Sequence, residues 1–255
     1  MTGGNSNRND SARNSVLVLT PDASGDIPSS GKSLQAATGN SIARYEHTSV
    51  INPATGKLYI IGGGSSLPRS DQIDVAQIDG DGNVGAFSTA GYLEAAVSQC
   101  PAVILGGRLY VFGGNTGTGI ATVQHAPINA NGTLGTFVTT DAALPGARFD
   151  GAAVVYKGGI YVMGGCTSGN SNTLKSVYKA TLNGAGVITS WTADTNIAVI
   201  STSPVGGPTT GLRRMCATAD ANNIYVPGGC IDATTLTNAL FVAGDTTAVS
   251  DWSIY

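Results

Sequence analysis

Four times along this 255-residue chain a short aliphatic–tyrosine run ends in a Gly-Gly pair. The runs are Leu58-Tyr59-Ile60-Ile61, Leu109-Tyr110-Val111-Phe112, Ile160-Tyr161-Val162-Met163 and Ile224-Tyr225-Val226-Pro227. They close at Gly62-Gly63, Gly113-Gly114, Gly164-Gly165 and Gly228-Gly229, and a fifth pair, Gly3-Gly4, stands near the N-terminus. From the first glycine of each pair to the next, the spacings are 59, 51, 51 and 64 residues. Recurrence near every ~50 residues marks units too small to bury both of their own faces, which gain a core only by stacking on neighbours. The chain therefore reads as all-β and as an array of propeller blades.

Each unit divides into four strand-length runs. Strand one is small and apolar, as in Thr48-Ser49-Val50-Ile51, Pro101-Ala102-Val103-Ile104 and Ala152-Ala153-Val154-Val155. A tight turn (Gly106-Gly107, Lys157-Gly158-Gly159, Asn222-Asn223) leads to the tyrosine-bearing strand two, whose residues suit a pleated, half-buried surface. Strands three and four form a second hairpin, spanning Ile73 to Phe87, Thr122 to Phe137, Ser176 to Trp191 and Asn238 to Trp252. Its turn is plainest at Gly82-Asn83 and Asn131-Gly132. The aromatics Phe87, Phe137, Trp191 and Trp252 are placed to fill the wedge between adjacent blades. Ser15 to Pro28 fits the second hairpin alone. The reading is an outer hairpin in 1–43, then four full antiparallel blades in 44–97, 98–147, 148–210 and 211–255, about four and a half blades in one propeller domain.

Composition narrows the function classes. Hydrophobic residues at 42% supply a core, while charged residues at 11% fall well below the ~25% of ordinary soluble domains. A net charge of −3 without a basic stripe excludes nucleic acid as a partner. No apolar run reaches the ~18 residues of a membrane span. The N-terminus has no apolar core of a signal peptide. Met1-Thr2-Gly3-Gly4-Asn5 instead matches Met163-Gly164-Gly165-Cys166 and Phe112-Gly113-Gly114-Asn115, so the expectation is a piece of a longer, or trimmed, polypeptide. Four and a half blades call for a larger propeller or for completion by another copy through open sheet edges.

The repeat resembles the kelch family of β-propellers, including bacterial kelch-like surface proteins. The matching elements are an Arg three residues before strand one, small residues in that strand, Tyr-x-x-Gly-Gly and a late aromatic. Arg44, Arg148 and Arg213 stand at the Arg position, ahead of His47, Gly151 and Cys216; the second repeat departs, with Val97 there and Cys100 in line with His47. The resemblance implies a propeller and leaves function open, because propellers host enzymes, sugar binders and docking platforms. Family members include copper-dependent galactose oxidase-like enzymes and sialic-acid mutarotases.

Chemistry-bearing residues are sparse. A copper site needs several converging His or Tyr ligands, and the chain has only His47, at the start of a strand one, and His125, read as lying on an exposed strand. Asp79-Gly80-Asp81-Gly82-Asn83 has the alternating oxygens of a calcium loop but lacks Gly at the sixth position and Glu at the twelfth, where Ala90 stands. It reads as a hairpin turn like Asn129-Ala130-Asn131-Gly132-Thr133. No metal, cofactor or catalytic set is expected. Cys100 and Cys216 begin strand one, and Cys166 and Cys230 follow Gly-Gly. Two bridges are candidates: Cys216 with Cys230 inside one blade, Cys100 with Cys166 between blades.

Loops from strand two to three and from strand four to the next strand one share a face, and that face carries the long segments Gly64 to Gln72, Asn115 to Ala121, Cys166 to Lys175, Ala193 to Leu212 and Cys230 to Thr237. Binding residues concentrate on loops held by a rigid scaffold. The candidates are Arg44, Tyr45, His47, Gln99, Arg148, Asp150 and Arg213, with Glu46, Phe149 and Arg214 beside them. The expected function is a non-catalytic recognition or adhesion module for a glycan or protein. A sugar-processing enzyme similar to the kelch mutarotases and a structural subunit of a filament or surface layer are the alternatives. Few lysines, Thr/Asn-rich strands and the cysteine placement suit a secreted or cell-surface protein.

Overall fold

A computed structural model describes residues 15–28, 30, 32–36, 38, 43–64, 69–140, 142–168, 172–194, 211–231, 235–244 and 253–254. All regular elements among them are strands. They fall into two compact units, Met1–Ser98 with Pro127–Phe137, and Gln99–Ala126 with Val138–Tyr255.

The first unit begins with a two-stranded sheet, β1 (Ser15–Leu19) on β2 (Lys32–Ala36). A four-stranded antiparallel sheet follows in simple order: β3 (Thr48–Asn52), β4 (Lys57–Ile61), β5 (Gln72–Gln77) and β6 (Ser88–Tyr92). Val16 packs with Leu58, Ile60, Ala76 and Phe87, so the N-terminal hairpin is cemented to the face of this sheet by apolar burial.

The second unit repeats the meander three times. Its sheets are β7 (Ala102–Leu105), β8 (Arg108–Phe112), β9 (Val123–Pro127) and β10 (Val138–Thr139); β11 (Ala152–Tyr156), β12 (Gly159–Met163), β13 (Val177–Leu182) and β14 (Ile188–Ala193); and β15 (Thr218–Ala219), β16 (Asn223–Cys230), β17 (Leu236–Gly244) and β18 (Ser253–Ile254). β4, β8 and β12, the strand twos of three sheets, are buried along nearly their whole length, as their continuous apolar runs require. Adjacent sheets share cores: Val154, Tyr161 and Met163 meet Leu212, Met215, Ile224 and Val226, while Phe112 and Val123 meet Ile160, Val162 and Ile188. Trp191 fills its wedge, edge-on to Phe112 at 5.8 Å and donating its indole N–H to the Ala142 carbonyl. Phe87 and Phe137 are also buried, each one residue ahead of its strand four.

One turn recurs between strands three and four. In Asp22–Asp26, Asp79–Asn83, Asn129–Thr133 and Asn183–Val187 the first carbonyl accepts from the glycine three residues on, at 2.8–3.1 Å, and the first N–H donates to the fifth carbonyl. The glycines, Gly25, Gly82, Gly132 and Gly186, all have φ between 75° and 89°, the geometry of a type I turn closed by a glycine bulge. In the Asp79 loop the carboxylate accepts the Asp81 and Asn83 N–H groups. The same turn at Asp22 identifies β1–β2 as an outer hairpin.

Two of the four strand-two tyrosines tie a sheet to the turn of the next hairpin. Within the first unit the Tyr59 hydroxyl donates to the Gly132 carbonyl at 2.9 Å; within the second, Tyr110 donates to Gly186 at 2.6 Å. Burial pushes both phenols above their ordinary pKa. The Gly-Gly pairs serve close approach. A Cβ on Gly164 (φ 57°) would lie 2.7 Å from the Leu212 carbonyl, and one on Gly165 (φ 90°) 2.6 Å from that of Phe149.

Candidate functional site

Each chain entry into strand one makes a sharp step through a residue in the left-handed region: Glu46 (φ 56°) in the first unit, Gln99 (56°), Asp150 (57°) and Arg214 (50°) in the second. None is glycine, so the conformation carries strain that the surroundings must hold. They hold it with main-chain bonds. Tyr45 pairs with Gly64, Phe149 with Cys166 and Arg213 with Cys230 as isolated bridges ahead of strand one. In the second unit the Asp150 N–H donates to the Gln99 carbonyl at 2.9 Å, and the Arg214 N–H to the Asp150 carbonyl at 2.7 Å. Three successive entries are thereby strung together.

The bridges also correct the repeat register. Gly114 donates to the Arg148 carbonyl and Gly165 to that of Leu212, so Leu212, not Arg213, is the counterpart of Arg148. Arg213 corresponds to Phe149 and Tyr45, one position later. Counting back from Cys216 misplaced it by one residue, because the repeat spacing lengthens before that entry.

Arg44 and Arg148 are struts. Arg44 is 1% exposed; its Nη1 donates to the Gly62 and Gln72 carbonyls, and its Nη2 reaches Asp74 Oδ2 at 2.6 Å. Desolvation pulls the Arg44 pKa down, with Asp74 opposing. Arg148, also 1% exposed, donates to the Gly164 carbonyl and Ser176 Oγ and lies 5.0 Å from the centre of the Tyr178 ring. These guanidiniums are engaged inside their sheets rather than displayed. Tyr45 and His47 are half-buried beside Gly63, whose missing side chain leaves room for the His47 backbone and Cβ.

The groups brought together are Gln99, Asp150, Arg213 and Arg214, joined by Asn115. Asn115 Nδ2 donates to Gln99 Oε1 at 2.8 Å. Asp150 Oδ2 accepts from buried Arg213 Nη1 at 3.2 Å and lies 3.5 Å from Nε of Arg214, whose side chain is 54% exposed. Burial raises the Asp150 pKa above the ordinary carboxylate value, against the pull of Arg214 and Arg213. Beside them, burial and then the Asp150 charge push the Cys166 thiol to about 11, so it is protonated and inert at neutral pH. Sequence reasoning missed Asn115 as a partner; its place directly after Gly113-Gly114 is the signal that could have found it.

Two further expectations are corrected. All four cysteines are free thiols: Cys100, Cys166 and Cys230 buried, Cys216 exposed. Cys230 is registered against Arg213, three residues from Cys216, so the chain offset forbids the bridge expected within the blade, and the Cys100–Cys166 bridge is likewise not formed. His125 is buried rather than exposed, with Nδ1 3.1 Å from Arg108 Nη1 and its ring tilted against Tyr110. Among the described residues no group of three His, Cys, Asp or Glu side chains is placed to hold a metal ion, and no helix is long and apolar enough to cross a membrane.

Residues 147–179, from the Arg148 strut through β13, match the kelch motif. The chain carries a kelch repeat. Among solved structures 181 chains match, and the structure of YjhT superposes with a TM-score of 0.63 at 14% identity, over 83% of this chain and 64% of that one. The chain thus spans less than two thirds of that protein's length, and at this identity the likeness establishes the kelch propeller fold alone. No curated protein matches the sequence.

Proposed function

We propose that this kelch propeller chain is a non-catalytic recognition or adhesion module that takes a glycan or protein ligand at the loop end carrying Gln99, Asn115, Asp150 and Arg214. The observation behind the reading is a division of labour. Arg44 and Arg148 are consumed in holding the sheets, whereas the left-handed steps at 99, 150 and 214 are joined by backbone bonds, and among them Arg214 is exposed and Gln99 half-buried. Rigid backbones presenting polar side chains lower the cost of ordering on binding. The test is a glycan array and a protein-capture screen with wild type and a Gln99→Ala/Asn115→Ala variant. Ligand retention that falls at least tenfold in the variant supports the reading, and retention unchanged in the variant overturns it. A ligand that is converted, with conversion lost in Glu46→Gln, replaces it by the sugar-processing alternative.

A structural role rests on a separate feature: β14, a six-residue outer strand, is mostly exposed and free of charged side chains, the profile of an edge able to accept a second copy. Fibres or dimers abolished by Thr192→Lys would favour it. Export to a secreted or cell-surface location rests on composition alone. Detection of the chain only in the cytoplasmic fraction of its source would remove it.

A further inference from the structure

The geometry points to Arg214 as the anchor for an oxyanion, a carboxylate or phosphate group, at this loop end; the inference rests on the recognition reading and names the chemistry of its ligand. Four observations converge. The Arg214 backbone is pinned by its N–H bond to the Asp150 carbonyl at 2.7 Å and by the left-handed φ of 50°. Its Nε lies 3.5 Å from Asp150 Oδ2, an ion pair on one side of the guanidinium, while the side chain is 54% exposed. A guanidinium matches the two oxygens of a carboxylate or phosphate, and the ion pair to Asp150 reduces the rotamer freedom lost on binding.

The local charge has the required sign. Two guanidiniums, Arg213 and Arg214, lie against the one carboxylate of Asp150, so positive groups outnumber negative ones among these three residues in a chain whose formal charge is −3. One carboxylate oxygen, Asp150 Oδ2, is shared between Arg213 Nη1 and Arg214 Nε, which leaves the remaining donors of Arg214 to other acceptors. The Gln99–Asn115 amide pair adds a polar neighbour bonded to the same strung entries. An uncharged sugar would leave the outer guanidinium edge matched only by hydroxyls, whereas an oxyanion answers it with charge.

The experiment titrates the full chain, at constant ionic strength, with glucuronate, inorganic phosphate and glucose, following backbone amide shifts by NMR. The expected result is saturable binding of glucuronate, phosphate or both, no saturation with glucose, and shifts centred on residues 99, 115, 150 and 214. Arg214→Gln weakens that binding about tenfold or more, and Arg214→Lys recovers only part of it. Glucuronate alone binding assigns a carboxylate; phosphate alone assigns a phosphate group. Because the side chain is exposed, both variants fold, which their unchanged amide spectra verify. The inference is overturned if no anion saturates, if glucose binds as well as glucuronate, or if Arg214→Gln leaves the anion affinity intact. Ligand retention on the arrays that survives Arg214→Gln but is lost in Gln99→Ala/Asn115→Ala would sink the oxyanion anchor and leave the recognition reading standing.

Discussion

Replacing Arg44 by Met and Asp74 by Leu, singly and together, tests whether the arginine struts are architecture. With both side chains at most 1% exposed and 2.6 Å apart, the gross attraction is about 6 kcal/mol at an effective dielectric of ~20. Desolvation of both ions cancels most of it, so the pair is nearly neutral against an apolar pair, while breaking it from one side costs about 3–5 kcal/mol. Arg44→Met is the worse single change. It leaves the Asp74 carboxylate with Gln72 Nε2 and deprives the Gly62 and Gln72 carbonyls of a donor. Asp74→Leu leaves Arg44 with both carbonyls and costs about 3 kcal/mol. The double variant keeps the carbonyl deficit and the lost Gln72 Nε2 bond, about 2–3 kcal/mol, so with Arg44→Met costing about 4–5 kcal/mol the two losses couple by roughly 4–6 kcal/mol. Urea unfolding followed by circular dichroism measures all three against a total stability of ~5–15 kcal/mol. Strict additivity, or single losses below about 1 kcal/mol, would mean the pair is solvated and the strut assignment wrong.

Other outcomes follow from the same contacts. Gly164→Ala, at φ 57° and within 2.7 Å of the Leu212 carbonyl, should cost more than about 2 kcal/mol in the same assay. Iodoacetamide at pH 8 should label Cys216 in the native protein and spare Cys166, whose thiol sits near 11; denaturation without reductant should expose four thiols, and finding fewer would restore a disulfide. Because burial raises the Asp150 pKa in the fold, the native state holds that proton more tightly than the unfolded chain. Its contribution is complete below the unfolded value of ~3.9 and is lost as pH rises through the folded value. Wild-type stability relative to Asp150→Asn should accordingly fall as pH climbs from 3 to 7, and a flat difference would refute the assignment.

The blade pattern was legible because it is written in local chemistry: apolar runs of strand length, Tyr facing a pleat, and Gly where the backbone turns or is approached. Arg213 shows where legibility stops. Its role depends on counting through 193–212, and the pairings of Gly165 with Leu212 and of Arg213 with Cys230 set the count. The cysteines failed for a related reason, since a candidate bridge needs register as well as proximity in the repeat. His125 was misread because its place on strand three says nothing about the adjacent strand β8 of its own sheet, which supplies Arg108 and Tyr110. The arginines were ambiguous for want of any sequence signal separating a guanidinium spent on carbonyls from one left in solvent.

The string of main-chain bonds from Gln99 to Asp150 to Arg214 has an evolutionary consequence. The bonds use only amide N–H and carbonyl groups, so no particular side chain is needed to form them. Positions 46, 99, 150 and 214 already hold an acid, an amide, an acid and a base in one conformation. Architecture and vocabulary are decoupled there: a sequence can rewrite the letters shown at the loop end while the sentence structure beneath them stays in place.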